Sequence, residues 1–416
     1  MEYKRVLIIN ATAIGENKGT GVTLHNIWRD YPRESMLQLI IDWDDVQRDE
    51  DIPTIKTPID FCRIPYKIHC NRKKKKISSV GVANGSIKQN GIKSCLHDFF
   101  RGTLDAFPVN YDCIMDEIRQ FNPEVIYTCG PSIRVLRTAN YIAKIFDIPI
   151  ILHMMDNWPE TIYTTSILSS IFRGIVKNQL NKLHKRNKMN LAISEALCSK
   201  YSSIYGVEYK MLMNPAINIE KEVHNIAKDP KFIYAGSLNL NRWKSLLEVA
   251  ETIDSCRTEQ YNLEFELYVP PNDCELYGEA FGKYGALVKP YVPSEELQKI
   301  YKIKDVLVFA EAFDKNVINF AKYSLSTKIP EYMATGHLIL AYLPEELHSA
   351  QYLKENNLAM VASNKEELKL AILKIVTVSK ECCFLQRNSL QKAIDAHSIR
   401  ACNEKLLLAI KVACEY

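Results

Sequence analysis

Short apolar segments with the length of buried strands alternate with helix-like segments along most of the chain. The strand candidates of the first half are Val6–Ile9, Leu37–Ile41, Val125–Tyr127, Ile148–Leu152 and Met189–Ile193. Those of the second half are Phe232–Tyr234, Leu263–Val269, Val306–Phe309 and Leu338–Ala341. Strands that alternate with helices typically form parallel sheets covered by helices. The pattern predicts an α/β protein with one parallel sheet in each half.

The chain length and one turn signal predict where the two halves divide. A chain of 416 residues is too long for one compact core and suits two domains of about 200 residues each. The turn-forming residues Asn214-Pro215-Ala216 follow a strand-like Met211–Met213. We therefore predict Rossmann-like domains over residues 1–213 and 214–396. Residues 60–110 interrupt the alternation and are interpreted as an insertion, and residues 397–416 are predicted to be mainly helical.

Composition limits the class of protein. The formal net charge is only +4, so the charge balance does not indicate a nucleic-acid-binding protein. The twelve cysteines include no Cys-x-x-Cys pair, and such usage fits a reducing compartment. The sequence starts with the strand-like Arg5–Ile9 instead of a signal peptide, and no apolar run reaches about 18 residues. We expect a cytoplasmic protein.

The segment between the strand candidates Val306–Phe309 and Leu338–Ala341 predicts an anion site. Ser326 or Thr327 could cap the helix that follows, and Lys328 adds a positive charge at its start. Pro330 suits the first turn of that helix, and Gly336 suits the left-handed residue that ends it. Glu331 could accept two hydrogen bonds from a sugar diol. A diphosphate with an attached ribose fits this arrangement.

This segment resembles the loop and helix of GT-B nucleotide-sugar glycosyltransferases, most closely retaining family four. Many members carry the form small/hydroxyl-x-x-Lys-x-x-Glu-Tyr-x-Ala-x-Gly, and Lys328 to Gly336 follow its last nine positions. The resemblance implies two Rossmann-like domains whose parallel sheets face an interdomain cleft, with the C-terminal helix crossing back to the first domain. It also implies that Glu331 holds the ribose of the donor. The common form has a second Glu eight positions earlier, where this chain has Tyr323.

A second segment of the C-terminal half predicts donor contacts. The strand that ends in Tyr234-Ala235 is followed by Gly236-Ser237, and Gly236 would permit close approach of a ligand to the backbone. Arg242 and Lys244 follow a few positions later and could neutralise a pyrophosphate. The family places its phosphate-binding cations in this loop, so the resemblance implies a contact by at least one of the two. A solvated basic loop is the alternative.

Two segments of the N-terminal half are further candidates. His153 and Asp156 follow a predicted strand in a His-x-x-Asp-x-Trp-Pro pattern, and ligands bind at the carboxyl ends of parallel strands. In the resembling family, a His in this region contacts the transferred sugar or the acceptor. Gly19, Thr20 and Gly21 match the family's glycine-rich loop after the first strand. Leu24 occupies the place of the third glycine of a dinucleotide fingerprint, so that motif is not supported.

Two charged segments carry weaker predictions. Asp42-Trp43-Asp44 has the spacing of a metal-binding carboxylate pair, but we interpret it as a surface turn. We expect no metal or other cofactor, because basic side chains supply the positive charge. Arg72-Lys73-Lys74-Lys75-Lys76 is either a solvated loop or a contact for anionic lipid headgroups. The second option would place the protein on the inner face of the cytoplasmic membrane.

The resemblance implies transfer of a sugar from a nucleotide diphosphate sugar to a glycan or lipid-linked glycan acceptor. Surface polysaccharide biosynthesis is the implied setting, and the implied reaction retains anomeric configuration without a metal. Arg242 and Lys328 would stabilise the leaving diphosphate. Two alternatives stay open: a catalytically silent GT-B protein that binds a nucleotide sugar or glycan, and a nucleotide-sugar epimerase on the same fold. Tyr323 keeps the first of these open.

Overall fold

A computed structural model of the chain describes residues 3–15, 19–41, 49–56, 92–107, 111–164, 169–187, 189–377 and 380–415. The described residues form two compact units. The first contains the chain up to Pro215 together with the segment from Ile399 onward, and the second contains Ala216–Ser398.

The described residues of the first unit form a sheet of seven parallel strands with the order β3-β2-β1-β4-β5-β6-β7. The strands are β1 (Val6–Asn10), β2 (Met36–Ile40), β3 (Thr54–Lys56), β4 (Val125–Thr128), β5 (Ile150–Met154), β6 (Met189–Ala192) and β7 (Glu208–Met211). The α-helices are α1 (Thr20–Ile27), α2 (Ile92–Ala106), α3 (Asp112–Phe121), α4 (Ile133–Phe146), α5 (Trp158–Thr161), α6 (Ser170–His184) and α7 (Glu195–Tyr205). A short 3₁₀ turn, Arg33–Ser35, precedes β2.

The last helix of the chain, α16 (Ile399–Cys414), completes the core of the first unit. Its buried side chains Leu406 and Ile410 belong to the same apolar cluster as Val6 of β1 and Tyr127 of β4. Trp28 packs edge-on against Tyr127 in this cluster, with ring centroids 5.0 Å apart. The first sheet therefore depends on a helix that follows the whole second unit in sequence.

The described residues of the second unit form a sheet of six parallel strands with the order β10-β9-β8-β11-β12-β13. The strands are β8 (Lys231–Ala235), β9 (Glu264–Val269), β10 (Leu287–Pro290), β11 (Val306–Ala310), β12 (Leu338–Tyr342) and β13 (Met360–Ala362). The helices are α8 (Arg242–Ser255), α9 (Pro271–Gly282), α10 (Ser294–Tyr301), α11 (Lys315–Ala321), α12 (Lys328–Ala334), α13 (His348–Glu355), α14 (Lys365–Val376) and α15 (Lys380–Lys392). A π-helical turn, Ala393–His397, follows α15.

The central strands form where the sequence is continuously apolar. Every residue of β1, β11 and β12 is buried, as expected for parallel strands covered by helices on both faces. The predicted α/β class with two parallel sheets is confirmed. The edge strands β3, β10 and β13 were not predicted, because strands of three or four residues are too short to show a pattern.

Candidate functional site

The strand order of the second sheet reverses at β8, which lies between β9 and β11. Gly236 directly follows β8, and Glu311 directly follows β11. In open parallel sheets, ligands bind beyond the carboxyl ends of the strands at such a switch point. The residues that the sequence predicted from the loop after β8 and from α12 lie together here.

Lys328 of α12 lies against the end of β8. Its ammonium is 3.2 Å from the hydroxyl of Tyr234 and 4.4 Å from the centroid of the Tyr234 ring. A Cβ atom placed on Gly236 would lie 1.8 Å from the Lys328 Nζ, so only glycine leaves room for this ammonium. The Tyr234 hydroxyl donates to the carbonyl oxygen of Ser237 at 2.8 Å and can accept from Lys328. Gly236 thus leaves space for the Lys328 ammonium, and the Ser237 carbonyl oxygen orients the Tyr234 hydroxyl that contacts it.

The charge on Lys328 is incompletely compensated. Burial and the neighbouring Arg242 lower the pKa of Lys328 to about 8, against the opposing effects of Glu311 and Glu331. Among the ion pairs of the described residues, none joins the Lys328 ammonium to a carboxylate within 4 Å. An anion that bound beside Nζ would supply the missing negative charge and raise this pKa again.

Glu331 lies one turn after Lys328 on the same helix. Burial raises the pKa of its carboxyl group, and Lys328 acts in the opposite direction. Within the described part of the chain, its carboxylate makes no ion pair and accepts no hydrogen bond. A half-buried carboxylate without such partners is destabilised unless a ligand supplies donors, and the two hydroxyls of a ribose would do so.

Arg242, the first residue of α8, forms a two-point ion pair with Glu311. Arg242 Nε donates to one carboxylate oxygen at 2.8 Å, and Nη2 donates to the other at 3.0 Å. Ser245 donates from its hydroxyl to the Glu311 carbonyl oxygen at 2.9 Å, which fixes the backbone of Glu311. Lys244 points to a different carboxylate, with its Nζ 3.2 Å from Asp314. Both predicted cations of this loop therefore have a carboxylate partner already.

The loop between β8 and α8 combines a hydrogen bond to a neighbouring helix with two left-handed residues. The Leu238 amide donates to the carboxylate of Asp273 at 3.0 Å. Leu240 and Asn241 both have left-handed backbone conformations, with φ of 57° and 61°. Leu240 is a poor residue for that conformation, so the surrounding structure must compensate its cost of about 1–3 kcal/mol. Strain of this kind clusters at ligand-binding loops, which agrees with the position of this one.

The start of α12 differs from the prediction. Thr327 is the capping residue, but its side chain makes no capping hydrogen bond, and the Ile329 amide donates to the Ser326 carbonyl oxygen at 3.0 Å. The predicted side-chain cap from Ser326 or Thr327 is wrong: Thr327 has helical backbone angles, whereas a residue that caps with its side chain typically has an extended backbone. Gly336 does have a left-handed φ of 69°, as predicted.

The predicted residues of the first unit are placed differently. His153 lies on β5 and is completely buried. Its Nδ1 is 2.5 Å from the Tyr127 hydroxyl, and its Nε2 is 2.9 Å from the Leu212 carbonyl oxygen. Burial lowers the pKa of His153 to about 4. Both ring nitrogens are occupied within the core, so this geometry by itself favours a structural contribution, and the catalytic assignment stays a prediction.

Asp156 and the glycine-rich segment lie beyond strand ends of the first sheet. Asp156 is half-buried and accepts from the Asn157 amide at 2.7 Å. Gly19 precedes α1 with a positive φ of 52°, and the Thr23 amide donates to its carbonyl oxygen at 3.4 Å. Thr20 and Gly21 form the first turn of α1. The roles that the sequence predicted for these residues stay predictions.

Sequence reasoning missed Tyr234, Asp273 and Glu311 as parts of the site. Glu311 carried the clearest signal, since it is a carboxylate placed directly after a buried strand. The pairs Glu311–Arg242 and Leu238–Asp273 join residues far apart in sequence, and no local pattern indicates them.

Three predictions concern residues or ions that these observations do not reach. Asp42-Trp43-Asp44 and the basic run Arg72–Lys76 lie outside the described residues. Among the described residues, no group of three or more His, Cys, Asp or Glu side chains could hold a metal ion. In the same part of the chain, no helix is long and apolar enough to cross a bilayer.

Solved glycosyltransferase structures share this fold, although sequence comparison detects no relative. No family model matches the chain, and no curated protein matches it by sequence. HepE from Anabaena in complex with UDP has a TM-score of 0.62 at 13% identity, covering 98% of this chain and 99% of that chain. A glycosyltransferase from Rickettsia africae has a TM-score of 0.60 at 12% identity and covers 99% of both chains.

The lipopolysaccharide outer core galactosyltransferase WaaB also resembles this chain, with a TM-score of 0.57 at 11% identity over 98% of this chain and 99% of that chain. These neighbours are GT-B glycosyltransferases. The chain therefore has the GT-B fold, with a Rossmann-like parallel sheet in each unit.

Proposed function

We propose that the protein transfers a sugar from a nucleotide diphosphate sugar to a glycan or lipid-linked glycan acceptor. The observation that carries the proposal is the pair Lys328 and Glu331 on one turn of α12, with the Lys328 ammonium in the space that Gly236 leaves open. The cation suits a diphosphate, and the carboxylate suits a ribose diol. The structures of Anabaena HepE with UDP and with UDP-glucose support this class of donor.

In the proposed reaction, the site stabilises the departing diphosphate electrostatically. Lys328 and the free donors of Arg242 would contact phosphate oxygens, where negative charge develops as the bond to the sugar breaks. The leaving phosphate would accept the proton of the acceptor hydroxyl, and the anomeric configuration would be retained. These cations would replace a divalent metal, so the reaction would need no cofactor.

Binding and turnover measurements with purified protein test the proposal. Calorimetry with UDP, GDP, ADP and TDP should identify one preferred nucleoside diphosphate, and assays with its sugar conjugates should show acceptor-dependent release of that nucleotide. Binding without transfer, hydrolysis or donor conversion would favour the silent GT-B protein that Tyr323 suggests. Conversion of the donor without an acceptor would favour an epimerase. Failure to bind any nucleotide would contradict the proposal.

The setting in surface polysaccharide biosynthesis is also a proposal. A lipid-linked acceptor would place the enzyme at the inner face of the cytoplasmic membrane, with Arg72–Lys76 contributing roughly 1 kcal/mol per residue toward anionic headgroups. Neutralising these five residues should then release the protein from vesicles that contain anionic lipid, without changing nucleotide affinity. Unchanged vesicle binding would assign the run to a solvated loop.

A further inference from the structure

The Arg242–Glu311 pair has a geometry that a surface ion pair rarely has. Both carboxylate oxygens of Glu311 are used by Nε and Nη2 of Arg242, and the Glu311 side chain is only 8% exposed. Within the described residues, these contacts leave the Arg242 Nη1 group without a hydrogen-bond partner. The guanidinium is therefore fixed in orientation and retains donors for a ligand.

The same carboxylate affects Lys328. The charged and titratable groups that face Lys328 are Arg242 from α8, Glu311 from the end of β11, Tyr234 from β8 and Glu331 from its own helix. Arg242 disfavours the charged form of Lys328, while Glu311 and Glu331 favour it. With Glu311 neutral, two cations would face each other in a half-buried site, and only Glu331 would compensate them.

We propose that Glu311 is a positioning residue for donor binding, which orients the Arg242 guanidinium and supplies negative charge to both cations of the site, Arg242 and Lys328. The inference rests on the proposed function, because the two cations matter together only if they meet one diphosphate. It assigns a role to a residue that lies outside the loop and helix that carry the family resemblance. Without such a role, the Glu311 carboxylate would only repel an anionic ligand at this site.

Glu311→Gln tests this proposal, because it removes the charge and keeps the shape of the side chain. Competitive acetylation followed by mass spectrometry measures the titration of the Lys328 amine in the unliganded protein. We expect the pKa of Lys328 to be lower in the variant than in the unmodified protein. Calorimetry with UDP should show a loss of affinity of about tenfold at pH 8 and a clearly smaller loss at pH 6, where the amine stays protonated in both proteins.

Two further variants serve as references. Glu311→Asp keeps the charge and should leave the Lys328 titration close to that of the unmodified protein. Glu251→Gln removes an exposed carboxylate from the same helix as Arg242, where Glu251 pairs with Lys365 at 3.1 Å. It should change neither the Lys328 titration nor the affinity for UDP.

Two outcomes would overturn the proposal. One is an identical Lys328 titration in Glu311→Gln and the unmodified protein, and the other is an unchanged affinity of Glu311→Gln for UDP at both pH 6 and pH 8. If the unmodified protein bound no nucleotide, the proposed function would fail instead. The acetylation titration would then still decide whether Glu311 controls Lys328.

Discussion

The ammonium of Lys328 occupies the space that a side chain at residue 236 would fill. A methyl group on Gly236 would lie 1.8 Å from Nζ and 2.8 Å from the adjacent carbon of the same lysine. The end of a lysine side chain can move away from such a group at low cost. A substitution here should therefore displace the charge and leave the sheet intact.

Gly236→Ala should weaken binding of the preferred nucleoside diphosphate by about 10–100-fold, the equivalent of one charge-assisted hydrogen bond. Its φ of 154° is also unfavourable for alanine, so a loss of about 1–3 kcal/mol in unfolding free energy is expected. Calorimetry and thermal unfolding measure the two effects separately. Gly278→Ala in α9 is the control, since nothing lies within 4 Å of the added methyl group. Equal nucleotide affinities of the Gly236→Ala and unmodified proteins would show that the position of Lys328 is unimportant.

Glu331→Gln should weaken nucleotide binding and stabilise the unliganded protein. Burial raises the pKa of Glu331, so its contribution to stability is present at low pH and is lost as the pH rises through the folded pKa. A neutral amide avoids this loss of unfolding free energy at pH 7. Because the charge is absent, the variant should bind the nucleotide about tenfold more weakly. Unfolding curves and calorimetry at pH 7 test both signs. Glu279→Gln, an exposed position on α9 away from its first turn, should change neither quantity. A destabilised variant with normal affinity would assign Glu331 to the fold.

His153→Phe should lower the free energy of unfolding by more than it lowers the free energy of nucleotide binding. The change leaves the Tyr127 hydroxyl and the Leu212 carbonyl oxygen without their partner, at a cost of about 1–3 kcal/mol for each group. Since the folded pKa of His153 is about 4, the unfolded chain binds more protons below pH 6.5. Stability should therefore fall on acidification from pH 6.5 to 4, and less steeply in the variant. Loss of transfer activity with unchanged unfolding behaviour would instead make His153 a catalytic residue.

Activity should survive chelation. The proposed site uses Lys328 and Arg242 in place of a divalent cation, so EDTA should leave both donor affinity and the rate of nucleotide release unchanged. The assay compares initial rates before and after EDTA, and then after addition of manganese or magnesium. Loss of activity that either metal restores would contradict the metal-independent reaction and favour Asp42 and Asp44 as metal ligands.

The sequence predicted the parts of the fold and site that depend on local patterns. Buried strands such as Val306–Ala310 are continuous apolar runs, and Gly336 ends a helix through its own backbone freedom. Glu311 and His153 show the limit of this approach. Whether a polar residue after or within a strand faces a ligand or the core depends on partners that are distant in sequence, such as Arg242 for Glu311 and Leu212 for His153.

Helix α16 has a consequence for biosynthesis. Cys402, Leu406 and Ile410 of this helix fill the core of the first unit, yet the ribosome adds them after all of the second unit. The second unit can close its sheet as soon as Ser398 has emerged, whereas the first unit must wait for the residues up to Cys414 with part of its apolar surface uncovered. The N-terminal half is thus made first and finished last. A chaperone that shields exposed apolar surface would act on it during that interval.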